Sequence, residues 1–411
     1  MTDYFYPLRS LREGHWFKLI CGASFQDLPA VRNLTLAYTL AGADCIDVAA
    51  DPAVIAAAQE GLKAAADLAS AARVRGYCAD TLPWLMVSLN DGEDPHFRKA
   101  EFNSTECPTE CPRPCESICP ADAIALSGVI DQRCYGCGRC IPVCPSKIIY
   151  TRSYVTAPEA IASSVLPSGV DALEIHTQIG RVDDFKRLWS AIAPWLNKLK
   201  LIAISCPDGD GIIDYLWTLY DLIAPLPIPL IWQTDGRPMS GDIGDGTTRA
   251  AVKLGQKVLS AGLPGYVQLA GGTNSYTVAK LRTMGLLNNR QEPKEIVDLP
   301  ESLVKASLSD IAVENQILSK NKAPQTRKSL HHASVLNPEP SYIAGIAYGS
   351  YARVLLSPVL DELEKMNMKD VSGKASASSQ TFMPRRLEEN PDLLWHAVSL
   401  AESLVSQVKS H

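Results

Sequence analysis

The sequence lacks the long apolar and long basic runs that mark membrane proteins and nucleic-acid-binding proteins. No stretch of the 411 residues approaches the ~20 apolar residues that span a bilayer. The longest candidate, YDLIAPLPIPLIW, is short and is broken by prolines. The net charge is −6, and the first residues have no apolar core of a secretory signal. We therefore expect a cytoplasmic protein with no transmembrane segment and no nucleic-acid partner.

Cysteine, by contrast, is abundant, with 12 residues in the chain. In a reducing compartment, so many thiols are poor disulfide candidates and better candidates for metal ligation or redox chemistry. Two runs hold most of them, CPTECPRPCESICP over residues 107–120 and CYGCGRCIPVCP over residues 134–145. The second run has the C-x2-C-x2-C-x3-C-P spacing of bacterial ferredoxins, in which the last cysteine ligates the other cluster.

Residues 95–150 therefore resemble a two-cluster bacterial ferredoxin module. The resemblance implies two [4Fe-4S] clusters, cluster 1 held by Cys107, Cys111, Cys115 and Cys144, and cluster 2 held by Cys134, Cys137, Cys140 and Cys119. The first run has three residues between all of its cysteines, which leaves the nuclearity of cluster 1 open. Zinc is the alternative, since paired cysteine motifs also form zinc sites.

The two Cys-Pro pairs also predict local structure in this module. Short helices are expected directly after them, over ADAIAL and SKIIY, and a strand is expected over GVIDQRC. Outside the two runs, Cys21, Cys45, Cys78 and Cys206 are predicted to be buried core thiols, because free cysteine is among the most buried residue types.

The rest of the chain alternates short β-branched runs with helical patterns. The eight candidate strands lie within FKLICGAS, CIDVAA, WLMVSLN, ALEIHTQ, LKLIAISC, PLIWQTDG, YVQLAGG and YIAGIAYGS. Helical spacing of apolar residues lies between them, for example in PAVRNLTLAYTLAG and TTRAAVKLGQKVLSAG. This pattern predicts the α/β class and a TIM-like (β/α)8 barrel with the ferredoxin-like module inserted, and an open doubly wound sheet is the alternative.

These elements divide the chain into six segments. The expected segments are 1–94 with the first βα units, 95–150 with the ferredoxin-like module, 151–287 with the continuation of the barrel, 288–340 as a polar insertion, 341–370 with the last βα unit, and 371–411 as a linker and C-terminal helix. An apolar stripe on that last helix is predicted to close the barrel base, with partner binding as the alternative.

The module follows the third strand, so it enters at the carboxyl end of the barrel, the face that carries activity in enzymes of this fold. We expect at least one cluster to lie within electron-transfer reach of this mouth. The polar residues predicted to line it are Ser24, Asp51, Asn90, His176, Gln178, Ser205, Cys206 and Asp235. Asp51 is favoured as a helix N-cap and His176 as a hydrogen-bonded core residue. No catalytic triad or acid/base couple is evident, so catalytic residues are unassigned.

Glycine-rich segments follow the seventh and eighth strands, whose loops often bind phosphate in such barrels. The predicted cradle for a flavin or another phosphate comprises Gly271, Gly272, Thr273, Asn274, Gly349, Ser350 and Arg353. Tight turns explain these glycines equally well.

The N-terminal CGASFQDLPAVRNLTLAYTLAGADCIDVAADP, the eight-cysteine module, EIHTQIGR and LAGGTNSYT together resemble the light-dependent period protein A (LdpA) family of cyanobacteria. The resemblance covers nearly the whole chain. It implies an iron-sulfur, redox-sensing protein in the input pathway of the circadian clock, responding to the redox pool of the photosynthetic chain and associating with KaiA and CikA. The alternative is an iron-sulfur oxidoreductase whose clusters feed electrons to a substrate or a flavin at an active site in the barrel mouth. The sequence favours the sensor over the catalyst.

Overall fold

The computed structural model describes most of the chain. The described ranges are 6–21, 28–77, 81–92, 98–119, 122–131, 133–134, 140–153, 164–236, 244, 246–288, 341–373 and 385–410, and for 98 and 368–373 they include the backbone alone. Ser24, Cys78 and Cys137 lie outside these ranges, as does the predicted polar insertion except for residue 288. The six predicted segment boundaries remain predictions.

Twelve strands are present in the described ranges, and eight of them form a closed parallel barrel. In chain order they are β1 (Trp16–Ile20), β2 (Cys45–Ala49), β3 (Trp84–Asn90), β4 (Arg98–Glu101), β5 (Ile124–Ala125), β6 (Gly128–Val129), β7 (Tyr150–Ser153), β8 (Ala172–His176), β9 (Leu201–Pro207), β10 (Leu230–Asp235), β11 (Tyr266–Ala270) and β12 (Gly345–Tyr348). The barrel order is β1-β2-β3-β8-β9-β10-β11-β12, and β12 pairs with β1 to close it. All eight predicted strands are confirmed, and the open doubly wound sheet is excluded.

Helices accompany the strands in the chain. They are α1 (Tyr6–Glu13), α2 (Leu28–Leu40), α3 (Pro52–Val74), α4 (Pro114–Ser117), α5 (Cys140–Val143), α6 (Val182–Ile192), α7 (Ile212–Ile223), α8 (Thr248–Leu259), α9 (Thr277–Thr283), α10 (Ser350–Gly373) and α11 (Pro391–Lys409). Asp51 caps α3 as predicted, because its Oδ1 accepts a hydrogen bond of 2.8 Å from the Ala53 amide. None of these described helices has the combination of length and apolar character that crossing a bilayer requires.

The barrel strands alternate between two apolar layers because successive side chains point to opposite faces. Outward residues such as Phe17, Ile46 and Leu173 pack with the helices in one large buried cluster. Inward residues at the amino ends of the strands, including Trp16 and Trp84, form a separate buried cluster. The interior is therefore apolar at its amino-terminal end.

The base of the barrel is occupied by α1, not by the C-terminal helix. Leu11 of α1 is fully buried in the same cluster as Trp16 and Trp84. The apolar stripe of α11 belongs instead to the layer between helices and strands, where α11 contacts α2, α10 and β1. Only its end reaches the amino-terminal rim, where Lys409 Nζ lies 2.6 Å from Asp44 Oδ2. The expectation that α11 closes the base is therefore wrong.

The insertion after β3 is called here the cysteine module, residues 98–153. The ribbon β4–β7 and the hairpin β5–β6 are both antiparallel. The short helices α4 and α5 precede Cys119 and Cys144, whereas the sequence predicted helices after these cysteines. Asp122 and Lys147 adopt left-handed backbone conformations (φ 46° and 53°), which interrupt helical propagation at those points. ADAIAL contains strand β5, and the described residues of GVIDQRC contain the short strand β6.

Candidate functional site

The two cysteine runs share one local backbone design. The Asp122 amide donates to the Cys119 carbonyl over 3.3 Å, and the Lys147 amide donates to the Cys144 carbonyl over 3.2 Å. Each turn begins at the cysteine of a Cys-Pro pair and ends at a non-glycine residue with positive φ. The two turns therefore share one backbone hydrogen bond and a left-handed residue at the same position. The sequence signal for this repeat is the Cys-Pro pair itself, to which the prediction assigned the wrong element.

Thiols from both runs meet in one buried cluster. Cys115 of the first run lies with Cys134, Cys140 and Cys144 of the second. Desolvation, followed by the nearby Cys111 and Cys144 thiols, raises the pKa of Cys107. Desolvation also raises the pKa of Cys115, with a smaller contribution from Cys144. Cys144 is therefore close to the first run, as the predicted ligand exchange between the runs requires.

Backbone amides point at two of the thiols. The Ala100 amide donates to Cys134 Sγ over 3.3 Å, and the Ala123 amide donates to Cys119 Sγ over 3.2 Å. Such N–H donors favour the thiolate over the thiol, and hydrogen bonds to sulfur tune cluster potentials. Cys119 and Cys134 are both assigned to cluster 2 by the ferredoxin resemblance.

This thiol set has the donor chemistry of an iron-sulfur site. Bringing several thiolates together is electrostatically costly unless a positively charged metal group neutralises them. In the described part of the chain, no three His, Cys, Asp or Glu side chains form a group that could hold a single metal ion. A cubane spreads its thiolate ligands over separate iron atoms, so it does not need that close grouping. The eight ligand assignments remain predictions.

The ribbon β4–β7 connects the cysteine module to the barrel mouth. Lys99 of β4 lies 3.5 Å from the carboxylate of Asp51, which lies two residues after the end of β2. The Lys99 ammonium also donates to the Asp131 carbonyl, three residues before Cys134. Arg152 of β7 lies 2.7 Å from Glu101 and 3.0 Å from Asp131. A chain of charged groups thus runs from the loop that carries Cys134 to the carboxyl end of the barrel.

Inside the barrel, a charged network lies above the apolar layer. Lys18 Nζ is 2.9 Å from Asp47 Oδ2, is hydrogen-bonded to Glu174 Oε2, and donates to Gln233 Oε1 over 3.0 Å. Gln233 Nε2 donates to Glu174 Oε1 over 2.7 Å. Gln268 extends the network by donating to Gln233 Oε1 over 2.6 Å. These side chains are almost completely removed from solvent.

None of these five network residues was predicted from the sequence. A usable signal was present, because a polar residue interrupts five apolar runs: WFK, CID, ALE, LIWQ and YVQ. Register aligns some of these positions directly, as with Gln233 and Gln268. The pattern is visible only when the strands are compared, because each run alone resembles an ordinary buried strand.

His176 connects the network to the mouth of the barrel. Its Nε2 lies 3.3 Å from Glu174 Oε1, and its Nδ1 lies 3.1 Å from Ser205 Oγ. The Ser205 hydroxyl donates to Asp235 Oδ2. The structure therefore joins three of the predicted mouth residues, His176, Ser205 and Asp235, in one chain of contacts. His176 is hydrogen-bonded as expected, but its side chain is 27% exposed and faces the mouth.

The pKa values of the network residues are shifted by burial and by the neighbouring charges. Desolvation lowers the pKa of Lys18, but the carboxylates of Asp47 and Glu174 outweigh it and raise that pKa above its ordinary value. Desolvation raises the pKa of Asp47 against the opposing effect of Lys18. It likewise raises the pKa of Asp235 against the effect of His176. Lys18 is thus held as a cation, while the protonated forms of Asp47 and Asp235 are favoured relative to those of a solvent-exposed aspartate.

The remaining predicted mouth residues in the described ranges have different surroundings. Gln178 is exposed, and Cys206 is buried in the layer between strands and helices. Asn90 is at the end of β3, where it pairs in register with His176. Cys21 and Cys45 are buried like Cys206, as predicted for core thiols. Burial raises the pKa of the Cys21 and Cys206 thiols to about 12.

Several side chains of the predicted phosphate cradle make hydrogen bonds within the protein. Thr273 Oγ1 donates to the Ala347 carbonyl over 2.6 Å, and Asn274 Oδ1 accepts from the Thr248 hydroxyl over 2.9 Å. Arg353 donates to the Cys21 carbonyl over 2.6 Å. Gly271 and Gly272 have φ of 64° and 99°, so the turn itself calls for glycine. Gly349 and Ser350 lie at the end of β12 and the start of α10. The phosphate site remains a prediction.

A closed parallel barrel that carries a cluster-binding cysteine module defines an iron-sulfur protein. Residues 107–155 match a family model described as the LdpA Fe-S cluster-binding domain, and residues 164–407 match the Light dependent period A C-terminal domain. The Light dependent period A protein of Synechococcus elongatus is 44% identical over 404 residues, which cover 98% of this chain and 94% of that protein. The chain belongs to the light dependent period A family.

Proposed function

We propose that this protein is a redox sensor that couples the cellular redox and light state to the circadian clock input pathway. The single observation that carries the proposal is the cysteine module, whose thiols from two runs converge beside a charged link to the barrel mouth. When bound, a [4Fe-4S] cluster supplies a reversible one-electron change. We place the protein in the cytoplasm, where the redox pool of the photosynthetic chain would be its input.

The proposed module is ferredoxin-like and holds two [4Fe-4S] clusters, inserted in a TIM-like barrel. Cys107, Cys111, Cys115 and Cys144 would hold cluster 1, and Cys134, Cys137, Cys140 and Cys119 would hold cluster 2. The proximity of Cys144 to Cys107 and Cys115 supports this exchange of ligands between the runs. The equivalent turns after Cys119 and Cys144 support an internal repeat.

The ion pair between Lys99 and Asp51 gives a physical route from the cysteine module to the barrel. Both side chains are mostly buried, so a change of one charge nearby is poorly screened. Such a change can bias a contact by about 1–3 kcal/mol. This is enough for a several-fold change in the affinity of a partner. The proposed partners are KaiA and CikA, by resemblance to the family.

The proposal is tested by measuring partner affinity in the two redox states. Anaerobically purified protein should bind KaiA or CikA with dissociation constants that differ several-fold between its oxidised and dithionite-reduced forms. Cys144→Ser should abolish that difference together with part of the cluster absorbance. Cys206→Ala removes a buried thiol outside the module and should preserve the difference. Equal affinities in both states, with clusters intact, would contradict the sensor.

A second candidate is an iron-sulfur oxidoreductase with its active site at the barrel mouth. The contacts that join Glu174, His176, Ser205 and Asp235 favour it, because they present ionisable groups at the end of the strands. In such an enzyme the clusters would feed electrons to a substrate or to a flavin at the barrel mouth. A stoichiometric flavin spectrum in the purified protein would support this candidate, whereas absorbance from clusters alone supports the sensor.

A further inference from the structure

We propose that the Nε–H group of Arg113 donates a hydrogen bond to a sulfur atom of cluster 1, and that Arg113 thereby raises the reduction potential of this cluster. Arg113 is not a ligand. It lies in the first cysteine run, between the assigned ligands Cys111 and Cys115. This role rests on the proposed function, because it requires the clusters, and it makes Arg113 the residue that sets the redox threshold of the sensor.

Arg113 carries a buried hydrogen-bond donor that no described group accepts. Its Nε atom has almost no exposed surface and has no hydrogen-bond partner among the described residues. The end of the guanidinium is engaged, since Nη1 lies 3.6 Å from Oε1 of Glu116. Buried polar groups in native proteins nearly always have a partner. An acceptor other than the described protein atoms is therefore expected beside Nε.

Arg113 is close to three of the ligands assigned to cluster 1. One residue separates it from Cys111, and one residue separates it from Cys115. Desolvation has the largest effect on Cys107 and raises its pKa, whereas the positive charge of Arg113 lowers that pKa. This opposing effect requires the guanidinium to lie near Cys107. Sulfur atoms of such clusters accept hydrogen bonds from N–H groups, so cluster 1 supplies the acceptor that Nε lacks.

The loop that carries Arg113 differs from the ferredoxin pattern by one extra residue. Three residues separate Cys111 from Cys115, where the ferredoxin run has two. Arg113 stands between Pro112 and Pro114 and has a left-handed backbone conformation, with φ of 51° and ψ of 56°. This conformation is uncommon for a non-glycine residue, and a residue before proline normally has an extended one. Such backbone persists where its surroundings impose it. The two prolines and the α4 turn thus hold Arg113 in one fixed place.

A hydrogen-bond donor and a positive charge at this place both favour reduction. Accepting one electron adds one negative charge to the cluster, and no bond forms or breaks. Arg113 stays protonated at any physiological pH, so it offers the same charge in both redox states. It stabilises the added negative charge through Coulomb attraction and through a stronger hydrogen bond to sulfur. Cluster 1 is therefore reduced at a higher potential than it would be without Arg113.

The test is a redox titration of anaerobically purified, full-length protein with dithionite, followed by electron paramagnetic resonance. Arg113→Gln removes the charge and the Nε donor. It should shift the one-electron equilibrium of one cluster at least threefold towards the oxidised form, which is a fall of about 28 mV at 59 mV per tenfold change. Arg113→Lys keeps the charge but lacks the Nε donor, so it should shift the same equilibrium at least twofold in the same direction. Arg282→Gln removes an exposed charge from α9, which follows β11 on the side of the barrel opposite β3, and should leave both potentials unchanged.

A second measurement uses the wild type and does not depend on the folding of a variant. In protein labelled with ¹⁵N at arginine alone, pulsed electron paramagnetic resonance of the reduced sample should detect a weak coupling between a cluster and an arginine nitrogen. The coupling should be lost in folded Arg113→Lys. The role of Arg113 is overturned, with the sensor left in place, by an absent coupling in the wild type, by an unchanged coupling in Arg113→Lys, or by wild-type potentials in Arg113→Lys. A protein without iron-sulfur clusters overturns both.

Discussion

Lys18 is the central residue of the buried network in the barrel interior. It is the ammonium that contacts both Asp47 and Glu174, and its side chain is fully buried. Removing one partner of a buried ion pair leaves a charge without compensation, which is far more costly than replacing the whole set with apolar groups. Its contribution is therefore best measured by comparing single and double substitutions.

Lys18→Met should lower the free energy of unfolding by about 3–5 kcal/mol, because it leaves buried carboxylates unpaired. The double variant Lys18→Met, Glu174→Gln should lose less than the single variant. Urea denaturation followed by tryptophan fluorescence measures both values. Lys63→Met, at an exposed position of α3, should stay within about 0.5 kcal/mol of the wild type. A loss from Lys18→Met as small as that of this control would contradict the account.

Lys99 is the residue that couples the cysteine module to the rim. Lys99→Gln removes a positive charge next to the segment from Asp131 to Cys134, and this should lower the reduction potential of cluster 2 by an amount on the order of tens of millivolts. A redox titration followed by electron paramagnetic resonance gives the potential. The same change at Lys63 should leave the potential unaltered. An unchanged or raised potential in Lys99→Gln would exclude the proposed coupling.

The raised pKa of Asp235 predicts that its contribution to stability decreases as pH rises. Burial raises its pKa in the folded state, so its favourable contribution is present below the ordinary aspartate pKa of about 3.9 and is lost as pH rises through the raised value. The wild type should therefore lose stability relative to Asp235→Asn as pH rises from about 4 towards neutrality. Urea unfolding of both proteins at several pH values tests this, and a constant or growing advantage of the wild type with rising pH contradicts it.

At the scale of elements, the strands were predictable and the module's short helices were not. WLMVSLN became β3 over its whole length, because a mostly apolar run between turn signals has few alternatives. The prediction of a helix over ADAIAL was wrong because the left-handed backbone at Asp122 depends on the folded module. The inward polar network was missed because the lysine, acids and glutamines come from distant parts of the chain. Their common level in the barrel follows from strand register alone.

The turn after β11 offers a test at this scale. Gly272 has φ of 99°, and an added Cβ would lie 2.9 Å from the Thr247 carbonyl oxygen. Gly272→Ala should therefore lower the free energy of unfolding by about 1–3 kcal/mol. Gly246→Ala is the matched control, because its added Cβ would meet no atom within 4 Å. Chemical denaturation should separate the two variants, and equal stabilities would mean that the turn relaxes without strain.

At the scale of the whole molecule, the proposed function involves both the cysteine module and the barrel. The module follows β3 and is tied by Lys99 to Asp51 at the carboxyl end of the strands. The barrel offers a charged interior that opens at that same end. A redox change in the proposed clusters would therefore act close to the charged groups of the barrel mouth.

The central claim is that the eight cysteines of the two runs hold two iron-sulfur clusters. Its most direct test is the determination of iron, acid-labile sulfide and zinc in protein purified without oxygen, with the same sample examined by electron paramagnetic resonance after reduction. The account predicts a brown protein with iron and sulfide in the amounts that two [4Fe-4S] clusters require. A colourless protein that contains zinc and no sulfide would contradict it.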